Sequence, residues 1–354
     1  MTGVVWAAVA GIGIGLFQSV NRAALRGMDA YASTFLQVLV SAAILVVVSL
    51  ALGDPGRLAA APLSAWWRFA AAGLVHFSVG WTLLNLSQQR LGAARTSPLL
   101  ATVPLFGVVV AALTLREVPS SLELAGVALM VGGVYAMEVE RLRRAHRVEE
   151  PAAAGGPRSS CGAGSQGGSG AGSRSSSPAV VWTASLFGLG TALCWAVSPI
   201  LIRQGLRDLP SPLLGVTVGM VAATLAYGLT LPLRGRLARW SSIGAAPRSP
   251  GVTGCGDGAH RGYLTGALGL RFTREALAWK LAAGVLVAVS TWARWYSVAL
   301  VPVAVVLALG LLSVPTVMAV APALVGRRAE RVTAPVLAGS ALVVAGALVI
   351  GAAA

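Results

Sequence analysis

Charge is scarce in this chain. Of 354 residues, 11% are Asp, Glu, Lys or Arg, against about a quarter in ordinary soluble domains. Too little polar surface remains to cover a water-facing globule, which excludes a soluble domain and makes lipid the expected solvent. Acids are scarcest, 12 in all, and each falls in a loop or at the end of an apolar run, Glu123 and Glu138 included. No central carboxylate is therefore expected to hold a proton or a sodium ion. Three cysteines, Cys161, Cys194 and Cys255, give no disulfide framework and no metal-ligand spacing. The three histidines, His76, His146 and His260, are equally scattered, so no metal and no cofactor is expected. There is no phosphate-binding glycine loop, which argues against direct ATP drive. Neither a carboxylate pair nor a nucleophile with a base is present, so an enzyme is not expected. The net charge of +15 comes from arginines dispersed between apolar runs, without a nucleic-acid motif, and nucleic acid is not an expected partner. The first apolar stretch lacks a basic start and runs straight into membrane-length sequence, so no cleavable signal peptide is expected.

What the chain has is apolar length. A membrane-spanning helix needs about 20 mostly apolar residues. Ten such runs lie near 3–22, 32–52, 66–86, 95–114, 121–138, 181–203, 211–233, 276–298, 302–325 and 333–353. Arg and Trp cluster at their ends, as in Trp66–Trp67–Arg68 and Trp279–Lys280, where amphipathic side chains sit at headgroup depth. The predicted fold is an all-α, multi-pass membrane protein of ten transmembrane helices. Residues 1–138 and 180–354 form two five-helix halves. Between them, residues 139–179 read as a flexible Gly/Ser-rich linker that opens on the charged run ERLRRAHRVEE. A second polar stretch at 234–275 reads as an irregular loop.

The halves align with one another. NRAALRG at 21–27 matches IRQGLRD at 202–208, and WWRFAAAGLVHFS at 66–78 matches AWKLAAGVLVAVS at 278–290. EVPSSLELAGVALMVGG at 117–133 matches ERVTAPVLAGSALVVAG at 330–346. Three blocks in the same order indicate a repeat. Five spans is an odd number, so the second half must enter the membrane from the opposite side, giving inverted repeats. Gly126 and Gly133, and Gly339 and Gly346, each lie seven apart on one helix face and are read as close-packing positions.

The pattern LLATVPLF…LREVPSSLELAGVALMVGGVYAM resembles the end of an EamA domain of the drug/metabolite transporter superfamily. Pro104, Glu117 and Gly126 fill that family's proline, turn and fifth-span positions, as Pro315, Glu330 and Gly339 do in the second half. The family's glycine before the glutamate is replaced here by Arg116 and Ala329. The resemblance implies ten helices around a central cavity, export or exchange of small metabolites, and both termini in the cytoplasm. The distribution of basic residues points the other way. Counting Arg141, Arg143, Arg144, Arg234 and Arg236 as juxtamembrane places both termini outside, with Cys161 and Cys255 as cytoplasmic thiols.

Polar groups inside spans are costly and so are candidates for function. On the third span Ser78, Thr82 and Asn85 share a helical face, with Trp81 adjacent; Ser290, Arg294 and Ser297 take equivalent places on the eighth. The first span adds Gln18 and Asn21, and the sixth adds Trp195 and Ser198. This set either binds a solute or hydrogen-bonds helix to helix. Arg294, beside Trp292, Trp295 and Tyr296, either snorkels to the interface or meets a carboxylate or phosphate. His76, near the middle of its span, suits a proton carrier, since histidine titrates near about 6.5 in water, or is held in helix packing. The expected function is secondary transport of a small neutral, zwitterionic or anionic solute across the cell membrane by alternating access, with lipid as the other partner and a homodimer compatible. The alternatives are a non-transporting scaffold or receptor and, with less support, a membrane-embedded enzyme.

Overall fold

The computed structural model describes residues 2–24, 30–91, 99–116, 119–153, 178–241, 264–265, 271–272, 274–325 and 334–353. Almost all of them are helical. Six helical stretches are long and apolar enough to cross a membrane: Thr2–Asn21, Thr34–Leu52, Trp182–Asp208, Pro212–Thr230, Arg274–Leu300 and Val303–Val320. Val103–Leu115, Ser121–Met137 and Leu337–Ala353 are shorter apolar helices. Leucines such as Leu52, Leu63, Leu113, Leu229 and Leu348 stand exposed on the outer surface. In water that would be a liability; against lipid tails it costs nothing, and it accords with a multi-pass membrane protein.

In chain order, α1 (Thr2–Ala24) and α2 (Ala30–Leu52) are followed by a short turn of helix, α3 (Pro55–Ala59), which Asp54 caps by accepting from the Gly56 amide. The third apolar run is not one regular helix. It consists of α4 (Leu63–Gly73), a π-helical stretch Leu74–Gly80, and α5 (Trp81–Leu91). At its entry Gly73 lies directly on the backbone of Gly219, with no room for a Cβ. The widened turn leaves carbonyls to outside donors: Trp195 Nε1 donates to the His76 carbonyl at 3.3 Å, and the Tyr227 hydroxyl to the Phe77 carbonyl at 3.1 Å.

The fourth run turns at residues 101–102 and restarts as α6 (Val103–Leu115), with Pro104 in its first turn. The ninth is likewise broken into α11 (Val303–Leu309), a 3-10 turn Gly310–Leu312, and α12 (Ser313–Val325), with Pro315 in the first turn of α12. Proline has no N–H to give the preceding turn, so a helix restarts at such a residue more easily than it passes through.

Helix α7 (Ser121–Ala153) opens on a reciprocal cap: the Ser120 amide donates to Glu123 Oε2 at 2.7 Å, and the Glu123 amide to Ser120 Oγ at 3.3 Å. It does not stop at residue 138 but continues through ERLRRAHRVEE to Ala153. Glu, Arg, Leu and Ala are strong helix formers, so the first part of the expected linker extends the helix. After α8 (Pro178–Asp208), α9 (Pro212–Ser241) also runs past its expected end at 233, into the polar stretch. There Leu264–Thr265 pairs antiparallel with Arg271–Phe272. Helices α10 (Arg274–Leu300) and α13 (Ala334–Ala353) complete the chain.

The principal helix contacts are α1 on α10 and α12, α8 on α4, the π stretch and α5, α2 on α9 and α10, α4 on α9, α6 on α8 and α11, and α7 on α13. Small residues set these distances. Gly126 and Gly133 of α7 meet Gly346 and Gly339 of α13, backbone to backbone. Hydroxyls stitch α2 to its neighbours: Ser49 Oγ lies 2.6 Å from Thr217 Oγ1, and Ser41 Oγ donates to the Gly284 carbonyl at 2.9 Å. In lipid, close backbones and such hydrogen bonds replace the hydrophobic effect as the glue between helices.

Candidate functional site

The polar residues inside the helices gather in two places. The first lies where the π stretch faces α8. His76 Nδ1 is 2.8 Å from Ser198 Oγ. The imidazole stacks on Trp195, with ring centres 5.6 Å apart and planes inclined by 21°, and meets Phe77 edge-on at 4.7 Å. Phe77 abuts Trp81, and Trp81 stacks on Phe17 of α1 at 6.4 Å. The wall thus draws on α1, the third apolar run and α8. Arg294 lies on α10, between Trp292 and Trp295. Arg294 is half-buried and makes no side-chain hydrogen bond or ion pair among the described residues.

The proposed stripe on the third and eighth spans resolves unevenly. Thr82 Oγ1 donates to the Ser78 carbonyl at 2.6 Å, Ser290 Oγ to Leu286 at 2.6 Å and Ser297 Oγ to Arg294 at 2.7 Å. These bonds return to the residue's own helix, as hydroxyls in lipid commonly do. Ser78 Oγ is buried without a partner among the described residues. Thr82 and Gln18 are exposed on their helices. The side chain of Asn85 lies outside the described residues, as do Glu117, Glu330, Cys161 and Cys255.

Asn21 belongs to the second place. Its Oδ1 accepts from Lys280 Nζ, which also donates to Gln37 Oε1 at 2.9 Å. Lys280 is fully buried, although Trp279–Lys280 reads in sequence as an interfacial pair. The difference is rotational: Trp279 and Lys280 lie about 100° apart round α10, and the lysine is on the side covered by α1 and α2. Gln37 is likewise a buried polar group that sequence reading passed over; a lone Gln in an apolar run was its only signal.

Two further cations bind across helices. Arg68 pairs with Asp208, which also accepts from Ser64 Oγ at 2.6 Å. Arg203 donates to the carbonyls of Val298 and Val301, at the C-terminal end of α10. No group of His, Cys, Asp and Glu that could hold a metal occurs among the described residues.

The wall at His76 is thus built of aromatic and small polar groups, inside helices whose outer faces are apolar. Residues 1–138 match the EamA-like transporter family. The resemblance carried by Pro104, Glu117 and Gly126 is therefore borne out over the first half, and the EamA match accords with a membrane transporter of the drug/metabolite type. Beyond that half the likeness is one of fold. A solved structure titled "Crystal structure of protein" covers 97% of this chain and 96% of that one, at 17% identity and a TM-score of 0.57. No curated protein matches the chain. Arg116 stands where the backbone favours glycine. It caps α6 in the left-handed region, at φ 58° and ψ 28°, the position where the family resemblance places glycine and where a side chain is disfavoured.

Proposed function

We propose that this protein is a secondary transporter that exports or exchanges a small neutral, zwitterionic or anionic solute by alternating access of two inverted five-helix halves. The observation that carries the reading is that helix contacts between the halves come in exchangeable pairs. Exchanging the halves turns α1 on α10 into α8 on the third apolar run, and α2 on α10 into α9 on α4; α2 on α9, α6 on α11 and α7 on α13 return to themselves. At residue level the Gly126–Gly346 contact becomes Gly339–Gly133, and both contacts exist. Such exchange is what a pseudo-two-fold axis between the halves requires, and the odd number of five spans per half is what would lay that axis in the membrane plane. The fourth run turns at residues 101–102 and the ninth at Gly310–Leu312, each shortly before a proline, and Pro-interrupted spans in both halves mark binding regions in inverted-repeat transporters.

In this reading His76, Trp195 and Trp81 line the path, Ser198 holds the imidazole from behind, and Arg294 sets the charge preference. Partner choice follows from Coulomb's law: an unpaired cation in a medium of low dielectric attracts carboxylate or phosphate and repels a dication. Uptake and efflux of succinate, L-phenylalanine, glucose and methyl viologen, in cells with and without the protein, test this. Losing a charge-assisted hydrogen bond costs about 1.5–3 kcal/mol, so Arg294→Ala should lower succinate transport by about 10- to 100-fold and glucose transport far less. Robust transport of the dication methyl viologen, indifferent to Arg294→Ala, would sink the proposal.

A further inference from the structure

Lys280 is the only lysine in the chain, and it is fully buried. It lies in the second turn of α10, where its ammonium donates to two neutral amides, Asn21 Oδ1 on α1 and Gln37 Oε1 on α2. The aligned position in the first half is Arg68, which has a carboxylate, Asp208. Lys280 has no acid among the described residues. Helices α1, α2 and α9 carry no Asp or Glu. The Tyr227 hydroxyl of α9 is engaged by the Phe77 carbonyl. On α10 itself Arg274 and Glu275 are exposed. Helix α8 reaches the far end of α10 through Arg203. The side chains of Arg22, Arg26, Asp29 and Tyr31, around the α1–α2 connection, lie outside the described residues.

A buried base held only by neutral acceptors can exist with or without its proton, whereas one paired with a carboxylate is held charged. Gln37 fits both forms. Its Oε1 now accepts from the ammonium, while its Nε2 is buried with no partner. A half-turn of the amide would bring Nε2–H to the lone pair of a neutral amine, so the orphaned donor has a use in the second state. An arginine could not serve, since it keeps its proton in proteins.

We propose that Lys280 is the site at which this protein takes up and releases a coupling proton. When an Nζ–H bond breaks, the electron pair stays on nitrogen and the proton passes to water on the side to which the seam has opened. The link between α10 and the Asn21 and Gln37 oxygens then weakens, freeing the α1–α10 and α2–α10 contacts that alternating access must rearrange. This rests on the transporter reading above, and the tests separate the two.

Because the chain has one lysine, protein grown on lysine labelled with 15N at the ε position gives a single side-chain signal. In lipid nanodiscs that signal should pass between the ammonium and amine positions as the buffer is taken from about pH 5 to about pH 10. A signal fixed at the ammonium position throughout overturns the proposal. In proteoliposomes loaded with a pH-sensitive dye, and given the four solutes named above, the wild type should move protons together with solute. Lys280→Gln and Lys280→Arg should each lose at least about tenfold in pH-driven accumulation while retaining solute exchange at equal pH. Proton-driven accumulation that survives in Lys280→Arg, or solute movement by the wild type without protons, overturns this proposal alone. No movement of any solute by the wild type overturns the transporter reading and this one with it.

Discussion

The α7–α13 seam makes a prediction that can be worked from distances. A Cβ on Gly133 would lie 2.5 Å from the Gly339 carbonyl oxygen and 3.0 Å from Leu342 Cβ and Val343 Cγ2. None of these can rotate away, because the first is backbone and the others are fixed close to it. Relief requires the helices to part by roughly 0.5–1 Å, a gap that forfeits a quarter to a half of each dispersion contact along the seam. With about 20 atom pairs near the site, each worth about 0.1–0.2 kcal/mol, the loss is about 0.5–2 kcal/mol. Small-to-large substitutions in close-packed cores cost about 1–3 kcal/mol. Gly133→Ala should therefore lower the unfolding temperature in detergent, followed by tryptophan fluorescence, by about 2–6 °C. Gly132 supplies the control: it is exposed, and a Cβ there meets nothing within 4 Å. Gly132→Ala should be neutral or slightly stabilising, by up to about 1 kcal/mol, through the lower entropy of its unfolded chain. Adding Gly339→Ala to Gly133→Ala should cost less than the sum of the two, because the seam is already open. Equal shifts for Gly132→Ala and Gly133→Ala, or full additivity at the paired glycines, would refute the reasoning.

Three other outcomes follow. Arg116→Gly should raise stability by about 1 kcal/mol, seen as a higher unfolding temperature, because a left-handed residue with a Cβ costs about 1–2 kcal/mol that glycine avoids. Asp208→Asn leaves Arg68 without its carboxylate and should cost about 1–2 kcal/mol at this half-buried pair; restoration by Asp208→Glu would show that charge is what matters. A membrane-impermeant thiol reagent on intact cells should leave Cys161 and Cys255 unlabelled if both termini are outside; labelling of either puts the termini in the cytoplasm, as the EamA resemblance implies.

Sequence alone determined the solvent, the class and many of the helix ends, because these depend on local quantities. Apolar length fixes what lipid will accept, so α1, α2, α8 and α10, and the start of α9, fall near where hydropathy puts them. A missing N–H acts wherever the proline is, so Pro104 and Pro315 mark helix restarts in the structure. The seven-residue spacing of Gly126 and Gly133, and of Gly339 and Gly346, already announced helices in backbone contact. What remained illegible was rotational and non-local. The direction in which Lys280 points depends on which helices cover α10, and a composition of Trp and Lys at a span end describes an interfacial residue and a buried one equally well. The π stretch at Leu74–Gly80 shifts the register of the Ser78–Thr82–Asn85 face, and its outside donors come from Trp195 and Tyr227, more than a hundred residues away in sequence. His76 finds Ser198 only once α8 is placed against the π stretch. Hydrophobic periodicity says that a face is covered; the identity of the covering residues is a property of the assembled helices, and that decided which polar groups are satisfied and which are left free.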